Sequence, residues 1–125
     1  MGKAFAPVRY KRTDERGLFV EVLAEGTWEA VIHGKMHAGA VLGHHYHLIT
    51  RIYFYLTLGQ AEVTIVDIKD ASRRTVPLEE GQGTYLEPGE AHAIRFLRPS
   101  EFIMAKSVRH DPVDPDTYPY EIEID

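Results

Sequence analysis

Short runs of apolar residues alternating with polar ones, cut by glycine and proline, recur along most of the chain, and no stretch keeps a helical period. This pattern predicts strands over residues 6–12, 18–23, 28–32, 52–58, 61–68, 75–78, 84–87, 92–96 and 101–108, with a further strand ending near His47. Pro77 cannot donate to a ladder, so the run over 75–78 reads as an edge strand. Over 61–68, Ala61, Val63 and Ile65 alternate with Glu62 and Thr64, the signature of a half-buried strand.

Residues 52–58 break the half-buried rule. Ile52, Phe54 and Leu56 fall on one face and Tyr53, Tyr55 and Thr57 on the other, so both faces want cover. One face is expected inside a barrel, and the other against a second sheet or a subunit. A homodimer is favoured over a monomer that covers the strand itself. Many short strands with turn residues between them predict an all-β barrel or double-sheet jelly roll. One domain over 1–125 is expected, ending in an extended acidic tail from about residue 111.

A chain of 125 residues suits one core. It has no cysteine, which excludes disulfides, thiolate metal sites and cysteine nucleophiles and fits a reducing cytoplasm. No apolar run approaches the roughly 20 residues of a membrane helix, and the start lacks the apolar core of a signal peptide, so a soluble cytoplasmic protein is expected. The net charge of -5 lies in the tail, where residues 111–125 hold six acids and no base. A near-neutral body lacks the basic surface that nucleic acid requires.

The chemistry concentrates between Gly39 and Gly59. His45 and His47 are two apart and share a strand face, whereas His44 and Tyr46 point the other way. A third imidazole, His92, follows the turn at Pro88 and Gly89. Three neutral imidazoles are a ligand set for a divalent metal such as Zn, Fe, Ni, Cu or Mn, with positions left open for water or substrate. Arg51, if it turned inward, would welcome a carboxylate or phosphate. With Tyr85 it makes up the candidate substrate contacts. Glu62, Glu87, Glu90, Tyr46, Tyr53, Tyr55 and Tyr85 are the acid–base groups at hand.

At these residues the chain resembles the cupins. Gly39, His45, His47 and Gly59 match the first cupin motif, G-x5-H-x-H-x4-E-x6-G, and Gly81, Gly89 and His92 match most of the second, G-x5-P-x-G-x2-H. Ile52 stands where the family has its metal-binding glutamate, and Glu87 stands at the motif proline. The resemblance implies a cupin double-stranded β-helix with His45, His47 and His92 as metal ligands. Two further strings are similar to the deoxysugar 3,5-epimerases: residues 14–19, Asp-Glu-Arg-Gly-Leu-Phe, and residues 43–46, Gly-His-His-Tyr. That likeness implies His45 as a base beside a sugar ketone, with a tyrosine, Tyr46 or Tyr53, returning the proton. A coordinated nitrogen has no free lone pair, so His45 cannot be ligand and base at once. Residues 111–118 look like the ends of cupin domains from nucleotide-sugar and capsule enzymes.

The expected function is therefore an isomerase or epimerase acting on a keto sugar or nucleotide sugar. An iron-dependent dioxygenase and a non-catalytic sugar-binding cupin are the alternatives. Oxygen consumption would mark the first, and tight binding without turnover the second.

Overall fold

A computed structural model of the chain describes residues 10–124, which contain no helix. The strands are β1 (Tyr10–Asp14), β2 (Gly17–Glu21), β3 (Ala30–Met36), β4 (Val41–Tyr46), β5 (Ile52–Leu58), β6 (Gln60–Asp67), β7 (Arg73–Glu79), β8 (Gln82–Leu86), β9 (Glu90–Phe96), β10 (Ser100–Lys106) and β11 (Tyr118–Pro119). Their antiparallel pairing makes a β1–β2 hairpin, a four-stranded sheet in the order β3-β10-β5-β8 and a five-stranded sheet in the order β11-β4-β9-β6-β7. The two larger sheets face each other as a jelly roll. β7 lies at an edge, where Pro77 leaves no ladder bond unmade.

The core is the set of inward residues that the alternation marks. Ile52, Phe54 and Leu56 of β5 pack against Val63 and Ile65 of β6, Leu78 of β7, and Ile94 and Phe96 of β9. Phe54 is fully buried, with its ring centroid 5.0 Å from Phe102 and 6.2 Å from Phe96. The opposite face of β5 is covered by the chain itself. Tyr53, Tyr55 and Ala105 lie under Val22, Leu23, Trp28 and Tyr85. The aromatic outer face of β5 therefore supplies no argument for a second subunit.

Four details differ from the sequence reading. The expected strand over 6–12 falls largely outside the described residues, and β1 continues to Asp14. The strand expected over 28–32 is β3, which runs on to Met36 because it pairs with β10 along that whole length; His33 is thus a strand residue, 3.4 Å from Glu101. Arg73 and Arg74, expected in a polar loop, extend β7 by pairing with Val66 and Ile65. The acidic tail does more than cross the surface. Tyr118 and Pro119 pair with Tyr46 and His45, and Ile122 is 3% exposed beside Val66, Ala91 and Ala93. Its apolar residues alternate with acids, so the tail docks by burying one face and leaving its charges in water.

No helix of the described residues is long and apolar enough to cross a membrane.

Candidate functional site

β4 and β9 are neighbours in the five-stranded sheet, and their pairing sets His45 directly opposite His92. The register shifts between Gly43 and His45, where β4 carries a bulge. There His44 adopts φ 58° and Gly43 φ 107°, both in the left-handed region. A Cβ on Gly43 would come within 2.5 Å of the His92 carbonyl oxygen. Glycine is what lets β4 approach β9 closely enough for two imidazoles to meet. His44 is thereby turned toward the tail, where its Nδ1 accepts the Ile122 N–H at 3.2 Å.

His47 follows β4 and completes the cluster. Ring centroids lie 4.8 Å apart for His45 and His92, 5.0 Å for His45 and His47, and 5.8 Å for His47 and His92. One nitrogen from each ring lies within 4.8 Å of the other two. Burial, with His45 and His47 beside it, pushes His92 down to about 3, and burial, His47 and Lys106 lower His45. Both rings are therefore neutral at pH 7, with a lone pair to offer. The buried Nδ1 of His92 has no hydrogen-bond partner among the described residues. His47 Nδ1 donates to the Asp116 carbonyl, which only accepts, so Nδ1 carries a proton and the ring is held in place.

The three rings lie in a cavity of about 200 Å³ whose other walls are largely apolar: Leu42, Ile52, Ile94 and Met104, with Lys106 and Thr117 at its edge. A second cleft of about 210 Å³ shares His47, Lys106 and Thr117 with it and continues along Arg109, His110 and Asp111. Each alone is smaller than the roughly 300–1,000 Å³ of ordinary ligand sites. The two adjoin at His47, Lys106 and Thr117, which line both.

The structure brings together His45, His47 and His92 and leaves the other sequence candidates elsewhere. Tyr46 stacks on Tyr118 at 5.4 Å and does not line the cavity. Tyr53 is on the far side of β5, where burial raises its pKa and Tyr85 and Tyr55 add to the effect. Arg51 is on that side too, at 2.9 Å from Glu87, with its guanidinium 4.0 Å from the Tyr85 ring. Tyr85 donates to Glu25 at 2.7 Å. The two departures from the cupin motifs thus separate: Ile52 faces the cavity as a wall, while Glu87 faces outward as the partner of Arg51.

Two groups escaped sequence reasoning. Lys106 shares its strand face with Phe102 and Met104, a parity that could have marked it as inward. Asp116 left no local signal. Its carboxylate accepts the backbone N–H of Leu48, Ile49 and Thr50 at 2.9, 2.9 and 2.8 Å and the Thr50 hydroxyl at 2.8 Å, across almost 70 residues of chain. This clamps the loop that carries His47.

Comparison with known proteins agrees with this architecture. The capsular polysaccharide assembling protein CapF from Staphylococcus aureus superposes with a TM-score of 0.71 at 22% identity, over 94% of this chain and 33% of that one. The chain thus spans about a third of that protein's length. The dTDP-4-dehydrorhamnose 3,5-epimerase from Sulfolobus tokodaii gives 0.74 at 20% identity, over 82% of this chain and 69% of that one. ChmJ, a 3'-monoepimerase from Streptomyces bikiniensis, gives 0.76 at 20% identity, over 88% and 65%. These likenesses establish the cupin jelly-roll fold. No curated protein matches the chain in sequence. Residues 12–118 match the family described as the polysaccharide biosynthesis C-terminal domain, and the chain belongs to that family.

Proposed function

We propose that this cupin acts on a keto sugar or nucleotide sugar as an isomerase or epimerase, removing a proton beside the carbonyl. The observation that carries the reading is the cluster of three imidazoles, with His45 and His92 neutral, in a cavity with apolar walls. His45 is the base in this scheme. It is the most accessible of the three rings, its pKa is lowered by burial and by His47 and Lys106, and Gly43 and the bulge aim it across from His92. His47, tied to the Asp116 carbonyl, and His92 position it. The apolar wall of Leu42, Ile52 and Ile94 excludes water from the reacting carbon. The similarity to sugar epimerases supports the substrate class, and the second cleft, which shares His47, Lys106 and Thr117 with the histidine cavity, offers space for a substituent beyond the sugar ring. Incubation with a panel of nucleotide-linked keto sugars in D2O tests it by NMR. Deuterium should enter the carbon next to the carbonyl with the wild type and not with His45→Asn. Tight binding without exchange across the panel would refute the catalytic reading and leave a sugar-binding cupin.

His45, His47 and His92 are also the residues that would hold a divalent metal such as Zn, Fe, Ni or Mn. The fit is supported by neutral rings, clustered nitrogens and the unpartnered His92 Nδ1. A bound metal would supply polarisation of the substrate carbonyl. In that state His45 is a ligand and another group is the base. Elemental mass spectrometry of untagged protein beside His92→Ala decides between the states, near-stoichiometric metal lost in the variant being the metal-bound result.

A homodimer, if it forms, is proposed to use the β1–β2 hairpin. Among the described residues its strands pair only with each other, and Leu18 and Phe19 are each 57% exposed. Light scattering of the wild type beside Phe19→Asp tests this.

A further inference from the structure

The cavity has an unusual charge pattern for a site with metal-binding residues. The position that carries a carboxylate in the cupin motif is Ile52, which is 2% exposed and lines the cavity. Directly across the β5–β10 ladder, Ile52 is paired with Lys106. Lys106 follows Phe102 and Met104 on the inward face of β10 and lines the histidine cavity and the adjoining cleft alike. Among the described residues its ammonium has no ion-pair partner. The motif's negative group is absent, and a positive group stands beside its place.

We propose that Lys106 makes this pocket an oxyanion site: its ammonium holds a negatively charged substrate oxygen against the three histidines, and it opposes a bare dication there. The ammonium places one positive charge in a partly buried space, and a single negative oxygen neutralises it. A divalent ion alone would raise that charge to three. The pocket therefore accepts a metal best when an anion enters with it, and it accepts an anion without any metal. The inference rests on the proposed sugar chemistry only for the identity of the oxygen, which in that scheme is the carbonyl oxygen as it becomes an enolate. Lys106 is then the group that receives this charge while His45 holds the proton.

Binding measurements without turnover test the inference. Inorganic phosphate serves as the oxyanion probe and Zn²⁺ as the metal, both by calorimetry, on the wild type, Lys106→Met and Lys106→Arg. Phosphate affinity is expected to fall at least about tenfold in Lys106→Met and to stay within about threefold in Lys106→Arg, while Zn²⁺ affinity in the absence of phosphate rises by about tenfold in Lys106→Met. Urea midpoints of the variants check that each is folded, and Lys106→Gln replaces Met if that variant is not. Phosphate binding that is absent from the wild type, or unchanged in Lys106→Met, overturns the proposal. The readouts also separate the two readings. A lysine-dependent phosphate site with no deuterium exchange on any keto sugar keeps this inference and sinks the isomerase. Exchange with phosphate binding indifferent to Lys106 does the reverse.

Discussion

Replacing Asp116 with alanine removes one carboxylate that accepts four hydrogen bonds from residues 48–50. The donors differ in what they lose. Leu48 and Ile49 are 53% and 66% exposed, so their N–H groups can turn to water and the cost is small. Thr50 is 3% exposed, and both its N–H and its hydroxyl are left without the partner they were buried against. An unsatisfied buried group costs about 1–3 kcal/mol, which puts the whole change at about 3 kcal/mol once non-additivity is allowed for. That is a large part of a typical stability of about 5–15 kcal/mol. In urea, with a slope of about 1–3 kcal/mol/M, the midpoint should drop by about 1–3 M. Asp116→Asn keeps one acceptor oxygen and should lose roughly half as much.

The effect carries a pH signature. Burial alone would raise the Asp116 pKa, but the bonds from Leu48, Ile49 and Thr50 outweigh it and hold it below 3.8. The folded state therefore binds this proton less readily than the unfolded one. The stabilisation is fully present above about pH 4 and is lost as pH falls through the lower folded value. The gap between wild type and Asp116→Ala should narrow on acidification below that point. A midpoint shift worth less than about 0.5 kcal/mol at pH 7, or a gap that widens in acid, would refute the clamp.

Gly43→Ala should cost about 2–4 kcal/mol in chemical denaturation, because the new Cβ meets the His92 carbonyl from a left-handed backbone; an unchanged midpoint would mean that the bulge relaxes freely. Phe54→Ala, at the centre of the aromatic core, should cost about 3–5 kcal/mol, and a loss under about 1 kcal/mol would show that the core collapses around the gap.

Most of the fold could be read from the sequence, because alternation reports burial directly. The inward set of β6 is the one the pattern marks, and β7 is the edge strand that Pro77 demands. The histidine cluster was legible for a different reason: His45 and His47 share a face by spacing, and Gly43 and Gly89 flag bends beside it. What escaped was long-range. Asp116 acts on residues almost 70 positions away, and nothing local tells its carboxylate from the other acids of the tail. Arg51 and Glu87 looked like site residues because one precedes a motif position and the other occupies one, yet both lie on the outer side beside Tyr85, where they satisfy each other. Tyr53 was misplaced for a related reason: both faces of β5 are aromatic or apolar, so composition gave no sign of which one held the cavity.

The docked tail has a consequence for how the site comes into being. The three histidines have all been synthesised by residue 92, but the carbonyl that orients His47 and the threonine at the cavity edge belong to residues 116 and 117. During translation a nascent chain would therefore carry every imidazole while the last wall of the pocket was still inside the ribosome. A chain stalled before residue 116 would present the imidazoles without the geometry that makes them a site.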